Sequence, residues 1–499
     1  MDLLTLRAAA GGGSIDGHDA ASLAAAGFTL LQRSAPLVRA LAGRRAAILL
    51  PTSPQFLVAL AASDGRGAVL VNPLAAPAEI AYQLADANVG AVFTIASLAG
   101  RLPRGTVHVL LDDAPTTAVV VHDDGAVQQR VDLGSHFGLG MEGDADTQGR
   151  DEECAVVYTS AMAGKPLGAI LTHRNLLANA RQTVEAAANV KDDHVLAVLP
   201  FAHLFGLTVS CMAPLLVGAR VTTMARFNPA AAVDAIERLG ITEIVGVPSI
   251  FAGMLAALER RAESSDATDS TARTMRLNAP ALRLCICGGA PLAVELQERW
   301  FEATGVELRQ GYGLTESSPV ALFNNVTQPN HRGTLGVPFP GVEVSIREGS
   351  SGRPVAAGLV GEICIRGDTV FRGYVSNGDH GLRVTDGWLH TGDRGAQDAD
   401  GRVVFHGADK VMFTRNGFNI YPREIERAIA AMPGVQTVSV SATPDDVREN
   451  GIHARVVVTS GGTGHASSAA PRPTPDDVTS WCKQHLSAYK IPTTIEVGG

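Results

Sequence analysis

At 499 residues the chain is longer than one ordinary hydrophobic core supports, so two or more domains are expected. A hydrophobic fraction of 46% against 18% charged residues excludes general disorder and fits a well-buried globular enzyme. The net charge of −9, with no Lys/Arg run or basic-aromatic stripe, argues against a nucleic-acid partner.

The opening MDLLTLRAAAGGGSIDG lacks a cationic region followed by an apolar block and a cleavage site. No apolar stretch reaches the roughly 20 residues a membrane span requires. The expectation is a cytoplasmic protein without a membrane span. Cys154, Cys211, Cys285, Cys287, Cys364 and Cys482 form no CxxC pair and mostly sit in apolar runs such as LRLCICGG, so buried free thiols are expected.

From residue 46, AAILLPTS reads as a buried strand, QFLVALAASD as a helix and AVLVNPL as a second strand. The helix PAEIAYQLADAN and the strand AVFTI follow. This alternation predicts an α/β fold, a mostly parallel sheet covered on both faces. It resumes after residue 190, where the strand HVLAVLP leads into PFAHLFGL, and ARVTTMA, PAAAVDAIERLG and TEIVGVP read as strand, helix and strand. Residues 259–276 are polar and weakly periodic and are expected to form a surface loop. Beyond about residue 335 the segments VEVSIRE, GEICIRG and RVVFHG predict a β-rich part. Residues 411–499 then read as a small α+β unit with EIERAIAAM as one helix. A second helix is signalled by Thr474 as N-cap, Pro475 at its first position and Asp477 as the reciprocal capping acid. The tract SGGTGHASSAAPRP before it reads as a linker.

Four segments carry chemistry. Residues 156–171, VVYTSAMAGKPLGAIL, run from a strand into a loop with hydroxyls at Thr159 and Ser160 and glycines at Gly164 and Gly168, a composition that lets backbone N–H groups face polyphosphate. A kinase-type P-loop is excluded, because Lys165 is followed by Pro166 rather than Ser or Thr. Residues 311–319, GYGLTESSP, follow the strand VELRQ and so stand at a strand end, where open α/β sheets bind ligands. There Glu316 beside Thr315 suits Mg²⁺ next to a phosphate, and a capped turn explains the same pair equally well. Residues 386–395, DGWLHTGDRG, place Asp393 to accept hydrogen bonds from vicinal ribose hydroxyls or to form a turn. Residues 407–430, GADKVMFTRNGFNIYPREIERAIA, form a natural hinge where the β-rich part gives way to the terminal unit.

In this order, and together with PFAHLFG, the CGGAPL turn and GTLGVPFPGVEVSI, these segments resemble the adenylate-forming superfamily of acyl-CoA synthetases, luciferase and peptide-synthetase adenylation domains. The likeness spans about residues 46–495, and GFNIYPREIE is most similar to bacterial fatty acyl-CoA ligases. The resemblance implies a large N-terminal domain over 1–408 and a small α+β lid over 409–499. It also implies ATP, Mg²⁺ and CoA or phosphopantetheine as cofactors. A carboxylate would attack the α-phosphorus of ATP, and a thiol of CoA or of an acyl carrier protein would take the acyl group from the adenylate.

Carried over residue by residue, the resemblance puts Thr159, Ser160 and the backbone of Gly164–Lys165–Gly168 around the β- and γ-phosphates. Thr315 would contact phosphate and Glu316 hold the metal. Gly289 and Tyr312 would flank adenine, and Asp393 would bind ribose. Lys410 falls at the hinge and Gly417 beside the pantetheine channel. His203 and Phe205 match positions lining the acyl pocket, although Phe205 is equally a core residue. PFAHLFG has no aspartate to pair with a substrate ammonium, which favours a fatty or aryl acid over an amino acid.

The chain departs from the family's pattern where it grips ATP. The loop 160–168 has lost two hydroxyl donors and has Leu167 where a lysine is expected. Ala408 replaces an arginine, and no terminal Gly-Lys pair follows AYKIPTTIEV. Each oriented donor lost typically costs about 3–4 kcal/mol of transition-state stabilisation. A second reading follows: a ligase-derived protein with lost or altered adenylation that binds or processes an acyl-adenylate or acyl thioester.

Overall fold

The computed structural model describes residues 12–63, 67–121, 124–134, 151–159, 166–264, 276–349, 351–376, 381–408, 412–415, 418–445, 449–458 and 473–498. The α/β alternation is present, and it builds two large sheets among the described residues, each of nine strands. In one, the strands Ser14–Ile15, Arg220–Thr223, His194–Ala197, Glu243–Gly246, Leu284–Cys287 and Leu308–Gly313 lie side by side and parallel. In the other, Arg45–Ile48, Ala68–Leu70, Val89–Thr94 and His108–Leu110 are parallel, and the hairpin Glu153–Thr159 and Leu167–Thr172 closes one side.

Such strands are buried on both faces and so read as unbroken apolar runs, as in the fully buried VGAVFT and LCIC. Helices fill the space between the sheets. Pro54–Ala62 is buried at every residue except Gln55 because apolar neighbours surround nearly all of it within that layer.

An antiparallel sheet of Glu343–Arg347, Gly361–Arg366, Trp388–Gln397, Val384–Thr385 and Val403–Ala408 is the predicted β-rich part. The terminal unit has a core of its own, in which Ile425 and Ile429 of the helix Pro422–Ala430 meet Ile452, Ala454 and Val456 of a three-stranded sheet and Val478 and Cys482 of the helix Pro475–His485. The latter helix begins as its sequence dictates. Asp477 N–H donates to Thr474 Oγ1 at 3.2 Å, and Thr474 N–H donates to Asp477 Oδ2 at 2.9 Å.

One element is corrected. Residues 259–264, expected as loop, continue the helix Pro248–Ser264. Their polarity serves ion pairs between elements, Arg261 with Glu237 at 2.8 Å and Glu259 with Arg299 at 2.6 Å, which no periodicity signals. The rest of that expected loop, 265–275, and most of the SGGTGHASSAAPRP tract lie outside the described residues. All six cysteines are free and buried, as expected. Among the described residues no helix is long and apolar enough to cross a membrane.

At the N-terminal ends of the parallel strands, Glu243 is fully buried and accepts a 2.6 Å hydrogen bond from Asn189 Nδ2. Burial, reinforced by the nearby Asp193, raises its carboxyl pKa from 4.5 to about 8. Between those values the folded state keeps a proton that the unfolded chain has released, so stability falls as pH rises through the window. Glu243→Gln, which is neutral at every pH, should flatten the decline of Tm between about pH 5 and about pH 8. An unchanged slope in thermal denaturation would show that the carboxyl is already ionised.

Candidate active site

The parallel strands end together, and the segments leaving them meet at that end. Leu308–Gly313 runs into the 3₁₀ turn Thr315–Ser317. Gly313 is obligatory there, since a Cβ would sit 1.8 Å from the carbonyl oxygen of Pro319. Ser317 Oγ accepts from Leu314 N–H at 2.9 Å, so the capped-turn reading of this motif is correct as local structure. The turn also buries Glu316, which is 5% exposed. Its Oε1 accepts from the Tyr374 phenol at 2.7 Å, and its backbone oxygen accepts from Phe371 N–H at 3.0 Å.

Tyr374 belongs to the short strand Gly373–Tyr374, which pairs with Ala169 and Ile170, and Val375 N–H donates to Gly168 O at 2.8 Å. Gly168 and the hairpin that carries the phosphate-loop motif are thereby brought beside Glu316. Thr159 ends the first strand of that hairpin opposite Leu167. Ser160, Gly164 and Lys165 lie outside the described residues, as do Lys410 and Gly417.

Asp393 reaches the same place from another sheet through a bulge. In the strand Trp388–Gln397, His390 pairs with Cys364 and Arg394 with Glu362, so Thr391, Gly392 and Asp393 stand against Ile363 alone. Gly392 takes φ 68°, Thr391 Oγ1 donates to Ile363 O at 2.7 Å, and Glu362 Oε1 accepts from Gly392 N–H at 2.9 Å. Bulges of this kind re-aim a side chain. Asp393, 8% exposed, is directed to Tyr312, whose phenol donates to its Oδ2 at 2.7 Å. Burial and the Asp393 carboxylate push the Tyr312 phenol well above the usual tyrosine range, so it remains a donor.

Gly289, at φ 78°, is exposed in the turn after Leu284–Cys287. His203 and Phe205 follow His194–Ala197. His203 is solvent-exposed, and desolvation by the surrounding protein holds its imidazole below the usual histidine range. Its Nδ1 accepts from Phe205 N–H at 3.2 Å, which leaves the proton of the neutral ring on Nε2. Phe205 opens a π-helix, Phe205–Met212, a rare conformation that is frequent at functional sites. Its ring lines an apolar cavity of about 10 Å³ with Val209, Ile286, Val320, Phe323 and Phe339.

Sequence reading missed two tyrosines. Tyr374 follows a glycine in FRGYV and gave no motif of its own. Tyr421 enters from the terminal unit, where burial and the carboxylates of Glu316 and Asp393 raise its phenol pKa. Only the tertiary fold brings these side chains to the two carboxylates.

The family model for the AMP-binding enzyme matches residues 37–375, and that for the AMP-binding enzyme C-terminal domain matches residues 424–498. The chain belongs to the AMP-binding enzyme family. It falls in the acid–thiol ligase (acyl-CoA synthetase) family, to which its named relatives belong. This AMP-binding enzyme is 30% identical over 471 residues to a feruloyl-CoA synthase of Amycolatopsis sp, covering 91% of this chain and 84% of that protein. It is 27% identical over 481 residues to a long-chain-fatty-acid–CoA ligase of Bacillus subtilis (strain 168), covering 91% and 82%. Its fold is shared with the amide bond synthetase McbA from Marinactinospora thermotolerans, at a TM-score of 0.78, 22% identity and coverage of 99% and 95%. It is shared also with a malonyl-CoA ligase bound to methylmalonyl-CoA and AMP, at a TM-score of 0.74, 24% identity and coverage of 98% and 95%. None of these likenesses favours the second reading, a ligase-derived protein with lost or altered adenylation that binds or processes an acyl-adenylate or acyl thioester.

Proposed function

We propose that this enzyme uses ATP and Mg²⁺ to convert an apolar fatty or aryl carboxylic acid to its adenylate. It then passes the acyl group to the thiol of CoA or of a carrier protein's phosphopantetheine. The observation that carries this reading is the meeting of two buried carboxylates, Glu316 and Asp393, each held by a tyrosine and both near Tyr421, beside the hairpin of the phosphate-loop motif.

Asp393, held by Tyr312, receives the ribose hydroxyls, and Gly289 leaves room for the base above its bare backbone. The residues present fit magnesium. Glu316 supplies one buried carboxylate, and Mg²⁺ needs only one or two beside phosphate oxygens and water. When bound, it neutralises charge on the phosphates. Thr315, at the exit of the same strand, is assigned to phosphate. The Nε2–H of His203 offers a donor, and the side chains around Phe205 (Val209, Ile286, Val320, Phe323 and Phe339) are apolar and provide no partner for a charged acyl tail. Lys410 and Gly417 are assigned the hinge and the pantetheine channel, with the domain boundary at 408/409.

The test is ATP–pyrophosphate exchange over a panel of aliphatic and aryl acids, followed by AMP formation with and without CoA. Exchange that depends on the acid but not on CoA, with thioester appearing only when CoA is added, is the expected result. If no acid in the panel supports exchange, the reading fails.

A further inference from the structure

On the antiparallel sheet, behind the bulge that presents Asp393, three different metal-binding side chains converge. Glu362 and Cys364 lie two residues apart on Gly361–Arg366 and so point to one face, and His390 is the cross-strand partner of Cys364. Their donor atoms, one carboxylate oxygen, Sγ and Nδ1, all lie within 4.8 Å of one another. The Nδ1–Oε2 separation is 2.9 Å and the Sγ–Nδ1 separation 3.6 Å. Among the described residues this is the one group of three such side chains so close together. We propose that Glu362, Cys364 and His390 bind a single zinc-type divalent cation, at a site separate from the Mg²⁺ assigned to Glu316.

Thiolate, imidazole and carboxylate together suit a borderline-soft cation such as Zn²⁺ rather than Mg²⁺. A tetrahedral ion with bonds of about 2.0–2.3 Å spaces its donors roughly 3.3–3.6 Å apart. The present spacings need only small side-chain rotations to meet that. Charge also balances, because one thiolate and one carboxylate neutralise a divalent ion in a site that is mostly out of water. Binding moves the imidazole proton from Nδ1 to Nε2 and releases the Cys364 thiol proton to solvent. An outer-shell contact is already in place, since Glu362 Oε1 accepts from Gly392 N–H at 2.9 Å and so fixes the carboxylate. His390 and Glu362 have side-chain exposures of 25% and 16%, enough to admit the ion and a water as fourth ligand. The same Gly392 contact ties the ion to the bulge that aims Asp393.

The experiment is titration of the full chain with Co²⁺, in excess Mg²⁺, followed by the near-ultraviolet thiolate-to-cobalt charge-transfer band. The expected result is a band that saturates at one equivalent, is bleached by Zn²⁺, and persists in Glu316→Gln. Cys364→Ser should abolish it, and His390→Asn, which keeps the thiol and can still bond to Glu362, should weaken Co²⁺ binding more than about 100-fold. Circular dichroism establishes that each variant is folded, and His390→Asn decides the matter if Cys364→Ser is not. No band in the wild-type protein, a band surviving Cys364→Ser, undiminished Co²⁺ affinity in His390→Asn, or a band that Zn²⁺ leaves in place would overturn the proposal.

Discussion

Glu316→Gln should lower acid-dependent pyrophosphate exchange about 100–1000-fold while leaving the protein folded. The reason lies in what the substitution keeps and what it removes. The amide oxygen still accepts from the Tyr374 phenol, now 2.7 Å from the carboxylate, and the backbone bond from Phe371 is untouched. The turn Thr315–Ser317 therefore survives. What disappears is the buried negative charge proposed to face Mg²⁺ beside the phosphates, where little water screens it. The measurement is exchange at saturating ATP over a range of Mg²⁺, with a Tyr374→Phe variant alongside. Tyr374→Phe removes a hydrogen bond but no charge, so its effect should be much smaller. A Glu316→Gln enzyme within threefold of wild type (about 0.7 kcal/mol) would remove Glu316 from its proposed role.

Lys490→Met should destabilise the protein by about 3–5 kcal/mol. Lys490 Nζ lies 2.7 Å from Glu79 and 2.6 Å from Glu424, and all three side chains are at least nine-tenths buried. Burial by itself would lower the ammonium pKa, but Tyr489, Glu424 and Glu79 more than offset it, so the lysine stays charged. Glu424 goes the other way, its carboxyl raised by burial in spite of Lys490. Methionine fills the space and leaves two carboxylates facing each other without a cation. Glu79 stands in the first turn of the helix Pro77–Asp86 in the large domain, and Ser487 of the terminal unit donates to it as well. The damage should therefore fall on the junction of the two parts. Urea denaturation followed by circular dichroism measures the loss, and adding Glu424→Gln to Lys490→Met should recover part of it. An unshifted midpoint would mean that the triad contributes nothing net.

Those two clusters differ in how visible they are in the sequence. Glu316 stands in an ordered motif at a strand exit, so both its place and its proposed role are readable from local pattern. Lys490 sits in AYKIP with no acidic residue near it in the chain, and Glu79 is 411 positions away. The helix 259–264 was misread for a related reason. Polar residues that pair with other elements look the same, in one dimension, as polar residues facing water.

Local chemistry was enough to read the elements and their kinds: apolar runs for strands buried on two faces, Thr474 and Asp477 for a helix start, and the order of the four motifs. These rest on interactions between residues a few positions apart, which a linear pattern records. Tertiary structure alone decided that there are two large sheets, that a bulge turns Asp393 onto Tyr312, and that Tyr374 and Tyr421 approach the buried carboxylates. Each of these depends on strands and helices meeting across long stretches of chain, where burial and charge are set by neighbours the sequence does not place side by side.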